Sequence, residues 1–159
     1  MTPDFCILGL VLYSRSAEYA IRAFVYMAAL PSGEYAMVKN IAEESDIPAH
    51  FLAKILQDLA RDGFLRSSKG PRGGFRLNLP AGEIPMLKIV YAVDGSARFS
   101  RCIGGSPECN DRAACGMHDS WIALRSRIIE YLEGTSIADL AKALGEKRRL
   151  LARPRRIKK

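Results

Sequence analysis

From Ile47 to Leu77 the apolar period of the chain changes once, and that change restricts what it can fold into. In IPAHFLAKILQDLARDGFLRSSKGPRGGFRL, Leu52, Ile55, Leu56 and Leu59 recur at helical spacing and make one face of a helix. Pro48 suits its first turn, where a backbone N–H would be unpaired anyway, and Gly63 stops it. Residues 64–78 then form two short alternating segments around Lys-Gly-Pro-Arg-Gly-Gly, the pattern of a β-hairpin with a glycine-rich basic tip. Immediately upstream, MVKNIAEES (37–45) reads as a second, shorter helix.

Two short helices, a tight turn and a hairpin follow the order of a winged helix-turn-helix. A helix fits the DNA major groove, and a hairpin tip can reach phosphates or the minor groove. The expected contacts are His50, Phe51 and Lys54 near the start of the longer helix and Lys69 and Arg72 on the wing, where glycines permit close approach. The competing reading is a solvated helix beside an ordinary basic turn. Charge separates the two better locally than globally. The formal charge of +7 comes from the last thirteen residues, KRRLLARPRRIKK, which hold eight basic residues and no acid. Between 47 and 76, however, Lys54, Arg61, Arg66, Lys69, Arg72 and Arg76 oppose only Asp58 and Asp62. The basic face lies on the helix and hairpin, and the tail adds at most non-specific phosphate attraction.

The remaining segments are helical. One helix runs from Ser16 to about Leu30 with Ala20, Ala23, Phe24, Met27 and Ala28 buried. IPMLKIVYAVDG (84–95) is a buried helix closed by Gly95. Trp121, Leu124, Ile128 and Leu132 mark a longer helix ending near Gly134, and a short one at 136–144 leads into the tail. Trp121 reads as core or dimer packing. The expected fold is mainly α with a small β-hairpin wing: a winged helix-turn-helix plus a long dimerisation helix. Its parts are an N-terminal extension (1–12), the DNA-binding domain (13–80), a cysteine loop with dimerisation helices (81–145) and a solvated basic tail (146–159). FCILGLVLY (5–13) lacks the basic flank of a signal peptide and is too short to span a bilayer, so a cytoplasmic protein with no membrane partner is expected.

CIGGSPECNDRAAC (102–115) holds three of the four cysteines, at spacing C-x6-C-x5-C. In a reducing compartment, clustered thiols bind metal or do redox chemistry more often than they form disulfides. Zinc is open to Cys102, Cys109, Cys115 and His118 as a tetrahedral set, although the short C-x2–4-C knuckle usual in zinc loops is absent. A thiol redox switch without metal is a further alternative.

The stretches SRSAEYAIRAFVYMA (14–28), IPAHFLAKILQDLARDGFLRSSKGPRGGFRL (47–77) and AVDG (92–95) resemble the Rrf2 family of bacterial winged-helix regulators, of the IscR and NsrR type, over about residues 13–142. The resemblance implies a homodimer on a palindromic DNA operator, with His50, Phe51 and Lys54 in the major-groove helix and Lys69 and Arg72 in the wing. The wing reads GPRGGF where many members read GPGGGY, which makes Arg72 an added charge. It further implies an iron–sulfur cluster, [2Fe-2S] or [4Fe-4S], on Cys102, Cys109 and Cys115. The first cysteine gap is one residue longer than in IscR-like members. The fourth ligand implied is His118, as in IscR-like members, or Glu18, where NsrR-type members place a carboxylate donated by the partner subunit. Glu18 is the slightly preferred choice, since an oxygen ligand is labile. Cys6 falls outside the pattern. Family members begin near residue 13, so residues 1–10 are expected to be dispensable or absent, with Val11 or Leu12 the true start. The function implied is transcription regulation, repression in type, by a protein that is not an enzyme. The different-class alternative is a zinc-stabilised module that binds proteins.

Overall fold

The computed structural model describes residues 12–71, 73–105 and 109–152, without the side chains of Arg98, Ala113 and 150–152. The expectations for residues 1–10, Cys6 and Arg72 fall outside that range. Its elements in order are α1 (Arg15–Ala28), α2 (Val38–Ser45), α3 (Ala49–Arg61), β1 (Leu65–Ser68), β2 (Gly74–Leu77), α4 (Met86–Asp94), α5 (His118–Gly134) and α6 (Ile137–Ala152). The architecture is mainly α-helical with one small antiparallel hairpin, a winged helix-turn-helix followed by a long helix.

The core forms where the helical stripes meet. Phe24 of α1, Ile41 of α2, Leu52, Leu56 and Leu59 of α3, and Ile89 of α4 are fully buried together. Each such side chain contributes about 1.5–3 kcal/mol by leaving water. Between α2 and α3 the chain reverses at Asp46, whose φ of 53° is left-handed, a region its short polar side chain tolerates. Ile47 then drops into the core and donates its N–H to the Ala42 carbonyl at 2.9 Å. This tight turn fixes α3 relative to α2 and leaves the polar side of α3 facing out.

The hairpin pairs Leu65 with Leu77, Arg66 with Arg76, Ser67 with Phe75 and Ser68 with Gly74. A reciprocal pair of backbone bonds between Ala36 and Phe75, 2.8 and 2.9 Å long, straps the wing to the segment before α2. A second strap joins the starts of α4 and α6: Met86 N–H donates to Thr135 and Ile137 N–H to Ile84, each at 2.9 Å.

At its N-terminus α1 is capped by Ser14, whose hydroxyl oxygen accepts from the Ala17 N–H at 3.1 Å. The same serine donates to Asp94, through its backbone N–H at 2.7 Å and through its hydroxyl. The first turn of α1 is thereby clasped to the last residue of α4. Ser14→Ala removes the cap and one of the two bonds to Asp94. It is expected to cost about 1–2 kcal/mol, read as a lower urea midpoint at unchanged slope.

The last helix departs from the sequence reading. α6 extends to Ala152, past the expected end at 144, so the first part of the basic tail is helix. Residues 146–152 contain straight-chain helix formers, and one internal glycine, Gly145, costs only about 1 kcal/mol. Arg149 in the last turn also suits the negative end of the helix dipole. Arg148 bonds Glu44 of α2 at 2.6 Å, which anchors this turn to the body. Among the described residues, no helix is long and apolar enough to cross a membrane.

Candidate nucleic-acid interface and cysteine centre

The outer side of α3 carries His50, Phe51 and Lys54, all exposed, while Leu52, Ile55, Leu56 and Leu59 fill its inner side. The sequence periodicity separates the two sides because α3 packs along a single stripe. Phe51 is not wholly free. Its ring meets Tyr19 of α1 edge-on, 6.0 Å between centroids at 85°, which ties the start of α3 to α1. Lys69 stands exposed at the wing tip, between β1 and β2. Arg66, exposed on β1, donates from Nε to the Asn78 side chain at 2.6 Å. Asn78 in turn donates to the Gly63 carbonyl at 2.8 Å, so the base of the wing is tied to the end of α3.

The cysteine loop lies between α4 and α5. Gly95, at φ 81°, ends α4 and lets the chain turn away. Two side chains of α5 hold the first part of the loop. Trp121 Nε1 donates to the Arg101 carbonyl at 3.2 Å, and Arg125 donates to the Phe99 carbonyl at 3.2 Å. Trp121 is thus a clamp on the residue before Cys102, which its packing role in sequence did not reveal.

Cys102, Cys109 and Cys115 form no disulfide, the first two being part-buried and the third exposed. They are neighbours. A Cβ built on Gly104 would lie 3.5 Å from the Cys115 sulfur and 3.6 Å from that of Cys102. Partial burial pushes the Cys109 thiol above its ordinary pKa; repulsion from Cys102 adds to this, and the positive charge of Arg125 pulls the other way. His118, the first residue of α5, is buried with only 6% of its side chain exposed. Its Nδ1 lies 3.5 Å from the Cys109 sulfur and its Nε2 lies 2.9 Å from the Asp111 carboxylate. The imidazole therefore belongs to the cysteine centre rather than to the surface.

Glu18 lies elsewhere in the chain, in the first turn of α1, 3.5 Å from the Arg22 guanidinium. Burial pushes the Tyr13 phenol up in pKa, with repulsion from Glu18 and from Tyr131 of α5 adding to it. Among the described residues, no three His, Cys, Asp or Glu side chains converge closely enough to hold a single metal ion as they stand. The donor types nevertheless suit an iron–sulfur cluster, since three thiolates and an imidazole lie along one loop and one helix start.

Asp111, Trp121 and Arg125 are the contributors that sequence reasoning missed. A carboxylate between two of the cysteines, and an arginine one turn after a tryptophan at the start of the next helix, were the only signals available.

Comparison with known proteins places the chain. The Rrf2 family, described as iron-dependent transcriptional regulator, matches residues 13–143. A protein described as a candidate HTH-type transcriptional regulator of Aquifex aeolicus is 33% identical over 132 residues, covering 82% of this chain and 91% of its own. The HTH-type transcriptional regulator IscR of Aliivibrio salmonicida is 31% identical over 123 residues, 77% of this chain and 73% of its own. In fold, CymR, the global cysteine regulator of B. subtilis, matches with TM-score 0.71 at 22% identity over 82% of this chain and 95% of its own. T. potens IscR matches with TM-score 0.67 at 21% identity over 85% and 89%. A match spanning both the helix-turn-helix with its wing and the helices beyond the cysteine loop leaves one assignment: this chain belongs to the Rrf2 family of DNA-binding transcriptional regulators and is not an enzyme.

Proposed function

We propose that the protein is a homodimeric regulator whose affinity for a palindromic operator is set by an iron–sulfur cluster on Cys102, Cys109 and Cys115. The observation that carries this reading is the gathering of three thiols outside any disulfide and a buried imidazole at the start of α5. The family's description as iron-dependent favours iron over zinc. When bound, such a cluster supplies a group that changes charge and ligation with redox state or iron supply. His118 is the fourth ligand proposed from within the chain. Glu18, paired here with Arg22, is the alternative donated by a partner subunit.

The dimer partner is a second copy of this chain, seated along α5, where Leu124 and Tyr131 are 53% and 58% exposed. In such a dimer the spacing of the two α3 helices is the regulated quantity. The residues available to transmit a change are in place. The loop is held to α5 by Trp121 and Arg125, α4 packs against both α5 and α1, and the Ser14–Asp94 clasp sets the start of α1. Tyr19 then meets Phe51 on α3. A shift in population between two loop states would alter how the recognition helices are presented.

On DNA, His50, Phe51 and Lys54 face the major groove, and Lys69 and Arg72 form the wing contact. Lys69→Ala is expected to weaken binding to specific and scrambled duplexes alike and to reduce the salt slope by about one, as for a phosphate contact. Arg72→Gly is expected to lower discrimination as well as affinity, by roughly 1–3 kcal/mol for a groove contact. Titrations at several salt concentrations read both, and unchanged affinity in both variants refutes the wing assignment. The visible absorption and metal content of anaerobically purified protein test the cofactor. A brown, iron- and sulfide-bearing sample supports the cluster, and a colourless sample with stoichiometric zinc supports a zinc-held loop instead.

A further inference from the structure

Asp111 belongs to a three-residue helical turn, Asp111–Ala113, between the second and third cysteines. Its carboxylate is 93% exposed, while the ring it touches is 6% exposed. An exposed acid reaching 2.9 Å to the Nε2 of a buried imidazole selects one of the two tautomers of the neutral ring. A carboxylate only accepts, so in the neutral ring Nε2 carries the proton and Nδ1 keeps its lone pair. Nδ1 is the atom turned toward Cys109, at 3.5 Å, and in the metal-free protein it can accept the thiol proton.

We infer that Asp111 is a positioning residue of the cysteine centre: by accepting the Nε2 proton of His118 it holds the ring with a bare Nδ1 aimed at the thiols. This rests on the cluster reading above and assigns the device that prepares its nitrogen ligand. A metal-binding histidine generally hands its second N–H to a carboxylate or carbonyl, which fixes the tautomer and raises ligand basicity, and loss of such a partner lowers metal affinity by about 10–100-fold. The remaining elements agree. His118 also opens α5, with its N–H donating to the Cys115 carbonyl at 2.9 Å, so its backbone is set by the third cysteine and its ring by Asp111. Because the Asp111 side chain is almost wholly in water, the space it leaves opens to solvent, where water can take over the His118 Nε2–H, and the variants should fold.

Two measurements on the full chain test this. In reduced, metal-free protein, nitrogen–proton correlation spectra of the His118 ring are expected to show a protonated Nε2, its proton shifted downfield and slow to exchange. That proton should lose its protection in Asp111→Ala and regain it in Asp111→Glu. A proton on Nδ1 in the wild type, or an unchanged Nε2 signal in Asp111→Ala, overturns the inference. After anaerobic reconstitution with iron and sulfide, Asp111→Ala is expected to lose iron to EDTA about tenfold faster or more, with partial rescue by Asp111→Glu. The double variant Asp111→Ala/His118→Ala should lose it no faster than His118→Ala alone. Additive losses, or wild-type retention in Asp111→Ala, overturn it. A wild type that takes up no iron overturns the cluster reading instead, and the Asp111–His118 contact is then decided by the metal-free spectra.

Discussion

Serine at any one of positions 102, 109 or 115 is expected to reduce iron retained after anaerobic reconstitution at least tenfold, while leaving the fold intact. The two halves of this result have separate causes. An iron–sulfur cluster is held by thiolate bonds, and a hydroxyl at neutral pH is a poor replacement for one. Stability responds differently because Cys115 is exposed and Cys102 and Cys109 are only part-buried, none of them among the core residues. Surface exchanges of this kind stay within roughly 0.5 kcal/mol. Iron and sulfide counts beside a urea titration read both halves. Cys6→Ser serves as the control and is expected to retain full iron. Full retention in Cys102→Ser would remove the sensor reading.

The largest loss of stability is expected in the wing, at Gly74. Its φ of 143° is a region that side chains rarely adopt, and a Cβ there would lie 2.1 Å from the Ala36 carbonyl oxygen. That oxygen accepts from the Phe75 N–H, so the clash falls on the strap between wing and body. Backbone strain and steric overlap together put the cost of Gly74→Ala at roughly 2–4 kcal/mol, a large share of the 5–15 kcal/mol typical of a domain. Gly70 offers the contrast. Its φ is 104°, but no atom lies within 4 Å of a Cβ built there, so Gly70→Ala bears strain without collision and is expected to cost about half as much or less. Urea midpoints rank the two variants. Equal midpoints would mean that the Ala36–Phe75 strap does not hold the wing.

What could be read from the sequence follows from how local each signal is. The stripe Leu52, Ile55, Leu56 and Leu59 is buried as the spacing requires, because a helix packed along one side writes its orientation into its own residues. Gly95 and Asp46-Ile47 mark turns for equally local reasons. The end of α6 was not legible, since Arg148 is fixed by Glu44, a residue more than a hundred positions earlier. The burial of His118 was hidden in the same way: its surroundings are assembled from a loop with no periodicity.

The cysteine loop is anchored at both ends by bonds to its backbone carbonyls, which do not depend on the side chains between them. Gly95 releases it from α4, Trp121 and Arg125 grip the carbonyls of Arg101 and Phe99, and His118 returns it to α5. Between residues 102 and 115 no described side chain belongs to the core, so this stretch can change length without emptying a core position. The loop is in that sense an interchangeable cartridge. A lineage can lengthen its first cysteine gap by a residue, or replace its donors, while the DNA-reading half of the molecule keeps the same frame. Selection on the signal and selection on the operator then act on separate residues of one small chain.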